Sequence, residues 1–126
     1  MTAKTQLVGE IKKTNGYHFL ARQLNLDAIS LKTIAFEIGQ QYDDLVLVLA
    51  SNYNGKALLS CYISKPLAAS MDLNASKIIR SLGPLIGGGG GGQAFFATAG
   101  GKKPDGIPEA LQKACLLYTS PSPRDS

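Results

Sequence analysis

Tryptophan is absent from this 126-residue chain, histidine occurs once, and cysteine occurs twice. Each scarcity excludes something. A zinc site needs about four N, S or O ligands in tetrahedral array, and His18, Cys61 and Cys115 stand too far apart in sequence to form a ligand spacing. The same shortage leaves no partner pattern for nucleophilic catalysis, so neither catalytic nor metal-ligating residues are assigned. His18, just after the turn-like pair Asn15-Gly16, reads as a strand-flank residue. Cys61, inside the apolar run "LLSCYIS", reads as a buried and inert thiol. Long hydrophobic runs are missing too. The longest, "LVLVLA" at 45–50, is far short of the roughly 20 residues of a membrane span, so no membrane partner is expected. The opening "MTAKTQLVGEIKK" has no apolar core of signal-peptide length, and no export signal is expected. Its polar character equally suits an internal piece of a longer chain.

What is present suits one globular domain: 44% hydrophobic and 17% charged residues. The net charge of +4 permits an anionic partner such as RNA without demanding one. Two hairpins are predicted, at Asn15-Gly16 and Asn54-Gly55, because Asn-Gly between alternating residues favours a tight turn. Between them Leu31, Ile34, Ala35 and Ile38 recur at helical spacing, with Asp27 as N-cap and the loop at Asp43-Asp44. Gly39 falls too early for a clean stop. The continuous run at 45–50 predicts a central strand covered on both faces, and Lys65-Pro66 ends the strand after Gly55. Ala75, Ile78, Ile79, Leu82 and Ile86 line a second helix, with Lys77, Arg80 and Ser81 facing out and Pro84 kinking or ending it. "QAFFATA" reads as a strand or a packed loop. "PDGIPEALQKA" reads as a third helix, with Asp105 near its start. The expectation is an α+β fold in the order ββαββα, glycine loop, α: a four- or five-stranded sheet built from two hairpins, with helices on one face.

The helix-like run is expected to stop at Ala114. Beyond it, "CLLYTSPSPRDS" contains two prolines that cannot continue a helix. Cys115 to Asp125 back-translates to the end sequence of a transposase-based sequencing adapter read in frame. Residues 1–114 are therefore expected to form the domain, residues 115–126 a non-native tail, and the natural protein to continue differently past Ala114. Setting the tail aside leaves the charge unchanged and a single cysteine, so no intrachain disulfide is expected.

The stretch "LIGGGGGGQAFFATAGGKK" carries the functional question. Six glycines, Gly87, Gly88, Gly89, Gly90, Gly91 and Gly92, precede Gln93, then Gly100, Gly101, Lys102 and Lys103. Composition alone fits a slack linker. A linker should separate domains, however, and here only one helix follows. Glycine also lets backbone N–H groups approach a ligand and form a concave anion nest. The pattern is no phosphate-binding G-x-x-x-x-G-K-[ST] loop, since no Ser or Thr follows the lysines, and it follows a helix rather than the strand of a dinucleotide fold.

The glycine run, four variable residues, then Ala97, Ala99, Gly100, Gly101 and Lys102, and finally Glu109-Ala110-Leu111, resembles the C-terminal DHH-associated domain of bacterial alanyl-tRNA synthetases. The likeness extends over roughly residues 7–114. Pro84, and Ala94 in place of a frequent proline, depart from the pattern. The resemblance implies a fragment of a cytoplasmic, ATP-dependent alanine-tRNA ligase whose ATP, magnesium and zinc sites lie upstream. It implies no cofactor or catalytic centre in this segment. The expected partner is alanine-specific tRNA, held at its outer corner so that aminoacylation and editing act on one molecule; in some members the region also self-associates. The glycines, Gln93, Lys102 and Lys103 are the implied RNA contacts, extended by Lys77 and Arg80 on the preceding helix. Phe95 and Phe96 are candidates for base stacking, with core packing expected of at least one. Two other readings remain: the nucleic-acid-binding C-terminal domain of a DHH-type phosphoesterase, in which a His usually follows the glycines where Gln93 stands here, and a purely structural or dimerising module.

Overall fold

The computed structural model describes residues 12–14, 17–71 and 73–119, and the side chains of 17–70 and 73–114. Six strands form one sheet: β1 (Lys12–Thr14), β2 (Tyr17–Leu24), β3 (Leu45–Tyr53), β4 (Lys56–Ile63), β5 (Gly88–Gly92) and β6 (Phe96–Gly101). Their spatial order is β1-β2-β3-β4-β6-β5. Among the described residues there are four α-helices: α1 (Ala28–Gly39), α2 (Lys65–Met71), α3 (Ala75–Leu82) and α4 (Ile107–Thr119). Neighbouring strands are antiparallel except β2 and β3, which run parallel with α1 as the crossover between them.

The hairpin at Asn54-Gly55 forms as its sequence requires. Asn54 has φ 54° and Gly55 φ 77°, the pair of positive values that matches a two-residue turn to the twist of its strands. β1 and β2 pair as expected; the Asn15-Gly16 turn lies outside the described residues. Asp27 caps α1, its carboxylate accepting from the Ser30 N–H at 2.9 Å. Hydrogen bonding from Ser30, through its side chain first and its backbone N–H second, holds the Asp27 pKa below its ordinary 3.8. A depressed carboxylate stabilises the fold above its ordinary pKa, and the contribution is lost as pH falls through the lower folded value. Asp27→Ala should therefore lower the melting temperature at neutral pH. The gap to the parent chain should close as pH drops below 3.8, read by thermal unfolding at a series of pH values.

The α+β class holds, with three differences from the sequence-based expectation. First, helices cover both faces of the sheet, not one. Val46, Val48 and Ala50 point with Leu59, Cys61 and Ile63 toward α3 and α4, while Leu45, Leu47 and Leu49 point toward Leu31, Ala35 and Ile38 of α1. Alternation along a strand sends neighbours to opposite faces, so the unbroken apolar run of β3 needs a cover on each side. Second, the glycine run, expected as a loop, is itself a strand, so that the described residues form six strands in one sheet. Third, Lys65-Pro66 ends β4 and also opens α2, whose Leu67 joins the core; proline is tolerated in a first helical turn.

Helix ends also differ. α1 stops at Gly39, where an added Cβ would overlap the Tyr62 ring. α3 ends at Leu82, and Pro84 sits in a short 3-10 turn, Gly83–Ile86, as its missing N–H suggests. The helix expected to stop at Ala114 continues to Thr119; "CLLY" contains no breaker, and Pro121 is the first. Two buried hydroxyls are satisfied within the core. Ser51 Oγ accepts from Leu26 N at 2.8 Å, and Ser64 Oγ accepts from Leu45 N and donates to Tyr42 O, both at 3.0 Å.

Candidate nucleic-acid interface

The glycine run begins by reversing direction. Gly87 has φ 73°, which turns the chain out of the 3-10 segment, and its N–H donates to Pro84 O. From Gly88 to Gly92 the chain is extended and pairs antiparallel with β6, from Gly88 opposite Gly101 to Gly92 opposite Ala97. β5 forms one margin of the sheet. The expected glycine loop is thus an edge strand, and the concave nest of successive N–H groups does not form. An extended strand sends successive N–H groups to opposite sides, and only Gly87 of the six has the left-handed backbone.

Glycine is required here by close approach. A Cβ on Gly88, Gly90 or Gly92 would run into the backbone of β6, with Ala99 Cβ only 2.8 Å from that on Gly90. A Cβ on Gly89 would meet nothing within 4 Å, and one on Gly91 only Ser76 Oγ at 3.8 Å and Arg80 Nε at 3.9 Å.

The cations gather along this edge. Lys103 folds its stem across Gly87, its Cγ and Cδ 2.7 Å from where a Cβ would stand, and its N–H donates to Ile86 O at 2.8 Å. Lys102 and Lys103 are both exposed just past the end of β6. Arg80 reaches Gly91 from α3, and exposed Lys77 lies one turn earlier on the same helix. Asn74 caps α3 by accepting from the N–H groups of Ser76 and Lys77. Gly100 and Gly101 do not face a ligand as a loop; they are the β6 partners of Gly89 and Gly88. Gln93 is exposed at the turn between β5 and β6, its N–H donating to Phe96 O at 2.8 Å. Ala94 O accepts from Ala75 N, so the turn is fastened to the start of α3.

Phe96, half-buried, packs onto Phe36 of α1, with ring centroids 4.8 Å apart, and lies against the core on that face. Phe95 is half-buried beneath Lys65, whose Nζ lies 4.7 Å from the ring centroid. Sequence reasoning missed Lys113, which reaches from α4 to donate to Ser81 O at 3.4 Å. It also missed Lys32 and Phe36 on the flank of α1 that meets β4 and β6. Phe36 falls outside the apolar stripe of that helix, and such an aromatic on a polar face was the available signal.

The remaining reactive groups carry no second site. His18 Nδ1 lies 2.8 Å from Asp44 Oδ1, and its ring tilts against Tyr42, joining the start of β2 to the loop before β3. Among the described residues no three His, Cys, Asp or Glu side chains gather to hold a metal ion. No described helix is long and apolar enough to cross a membrane. The Cys61 thiol is fully buried, and desolvation pushes its pKa up. A thiol reagent should leave Cys61 unmodified in the native protein and label it fully in denaturant, as read by peptide mass analysis.

The chain is 56% identical over 111 residues to the alanine-tRNA ligase of Christiangramia forsetii, a match that covers 88% of this chain and 13% of that protein. It is 38% identical over 115 residues to the alanine-tRNA ligase of Bacteroides thetaiotaomicron, covering 90% of this chain and again 13% of the relative. The chain thus spans about an eighth of the length of these curated relatives. Among solved structures, the C-Ala domain of Aquifex aeolicus alanyl-tRNA synthetase superposes with a TM-score of 0.77 at 27% identity, covering 89% of this chain and 99% of that one. A DHH-domain protein described as a member of the s1p family of ribosomal proteins shares the fold at a TM-score of 0.54 and 17% identity, covering 94% of this chain and 31% of that one. The family model of the DHHA1 domain matches residues 8–119, and the chain belongs to that family.

Proposed function

We propose that this chain is the C-terminal accessory domain of a cytoplasmic alanine-tRNA ligase and that it holds the tRNA backbone against the glycine edge of its sheet. One observation carries the reading: a strand without side chains, Gly88–Gly92, is flanked by Arg80 at one end and Lys103 at the other. Where a strand has no side chains, a ribose-phosphate backbone reaches main-chain N–H groups directly. Lys102, Lys103, Lys77 and Arg80 neutralise phosphate charge and release counterions. Such contacts orient RNA without reading its sequence. The likeness to alanine-tRNA ligases supports alanine-accepting tRNA as the partner. Aminoacylation and editing, with their ATP, magnesium and zinc, belong to other parts of the parent. This domain then contributes tRNA affinity and no chemical step. Gln93, where DHH-type phosphoesterases usually carry His, argues against a phosphoesterase assignment.

The test is a titration of the chain with tRNA over a range of salt concentrations. Binding should weaken linearly on logarithmic axes, with a slope set by the number of phosphates neutralised. No binding at low salt, or binding indifferent to salt, would refute the reading. Light scattering on the same sample addresses self-association. A monomeric mass across the concentration range would count against a dimerising role.

A further inference from the structure

The sheet face under α1 carries a feature that the glycine edge does not explain. Phe36, Tyr42, Tyr62, Phe95 and Phe96 are each half-buried, not sealed in the core. They line two adjoining clefts. One, of about 340 Å³, runs from Lys32 past Phe36 to Gly91 and Thr98. The other, of about 400 Å³, runs past Tyr62 and Asp43 to Lys65. Phe36 and Phe95 border both, so the two form one groove. Its floor is ordered by ring contacts: Phe36 meets Tyr62 edge-on at 5.5 Å and Phe96 at 4.8 Å. A cation lies over the aromatic floor at each end, Lys32 Nζ at 5.9 Å from the Phe36 centroid and Lys65 Nζ at 4.7 Å from that of Phe95.

This combination has a specific chemistry. Part-exposed rings offer flat faces on which bases stack, and lysines at the two ends of a row of rings match the phosphates that join those bases. The hydroxyl of Thr98 and the carboxylate of Asp43 can hydrogen-bond base edges. An aliphatic peptide or a lipid would need neither the terminal charges nor the polar rim. We propose that the groove between α1 and the β4–β6 surface is a stacking site for unpaired nucleotides of an RNA, on the opposite side of the sheet from the Arg80 approach to β5. The tRNA reading above supplies the source of the RNA; the groove itself stands on its own geometry.

The experiment uses the full chain, isotope-labelled, with a short unstructured oligoadenylate as probe and a base-free polyanion, polyphosphate, as control. Oligoadenylate should shift the amide signals of Phe36, Phe95 and Thr98, and polyphosphate, which can meet only the lysines, should leave those three in place. Phe95→Leu keeps apolar bulk and should weaken oligoadenylate binding by about fivefold or more while leaving the melting temperature within a few degrees. Lys32→Gln with Lys65→Gln should weaken binding without altering the fold. Shifts confined to β5 and Lys102–Lys103, equal shifts with polyphosphate, or undiminished binding by Phe95→Leu would overturn the groove assignment. In the first case the glycine-edge reading would stand alone. Conversely, groove shifts accompanied by tRNA binding indifferent to salt would sustain the groove and defeat the glycine-edge reading.

Discussion

Gly90→Val should detach β5 from β6, while Gly89→Ala, one residue away, should leave the fold intact. The two positions have the same sequence surroundings and differ only in which way a side chain would point. At Gly90 a Cβ would overlap the Thr98 carbonyl and lie 2.5 Å from Ala99 Cα. Those are backbone atoms, so no rotamer change relieves the clash, and the strand must move. Overpacking of this kind costs about 1–3 kcal/mol, and the branching of valine should place it near the upper end. For a domain of this size the destabilisation corresponds to a fall in melting temperature of roughly 5–15 °C. At Gly89 nothing lies within 4 Å of the new Cβ, and the backbone there is not left-handed. Alanine should be neutral or stabilise by about 0.4–1 kcal/mol, because it narrows the unfolded ensemble. Gly88 and Gly92 should behave like Gly90, and Gly91 like Gly89. Thermal unfolding of the five single alanine variants, with valine added at Gly90, reads the alternation directly. A uniform response along the run would mean a slack loop and would remove the edge strand on which the functional reading rests.

Neutralising Arg80, Lys102 and Lys103 together should weaken tRNA binding more than any other change that leaves the structure intact. Glutamine is the informative replacement. It keeps much of the aliphatic stem that Lys103 lays across Gly87, so packing is retained while charge is removed. Each cation removed from a phosphate should reduce the salt slope by about 1, and three should make it shallower by about 2–3. Between 50 and 200 mM salt the affinity of the parent chain should therefore fall some tens of times further than that of the variant. The two lines should converge as salt rises. All three side chains are exposed, so stability should change by no more than about 0.5 kcal/mol. An unchanged slope with weakened binding would point away from phosphate neutralisation and toward altered shape at the edge.

Much of the architecture was legible where one local rule acted alone. Asn54-Gly55 requires positive φ at both turn positions and obtains it. Leu31, Ala35 and Ile38, or Ile78, Ile79 and Leu82, present a helical stripe whatever covers it. Misreadings arose where the answer depended on a partner distant in sequence. The run at 45–50 already required cover on both faces, yet nothing local says that α1 supplies one cover while α3 and α4 supply the other. Position 39 must be glycine because Tyr62, on β4, occupies the space a side chain would need. Lys32 and Phe36 enter the candidate groove only because β6 lies beside them.

The glycine run draws the same line most clearly. By itself the sequence determined that residues 87–92 have no side chains, that two lysines follow Gly101, and that Lys77 and Arg80 share the outward side of the preceding helix. Glycine's broad conformational freedom means that such a run, read locally, is equally a linker, a nest or a strand. Only the tertiary structure decided among them. β6 offers a hydrogen-bonding edge so near that Gly88, Gly90 and Gly92 admit no Cβ, and α3 and the turn after β6 bring Arg80 and Lys103 to the two ends of the strand. Where side chains are absent, the conformation is chosen by what the backbone pairs with, and that partner is known only once the chain has folded.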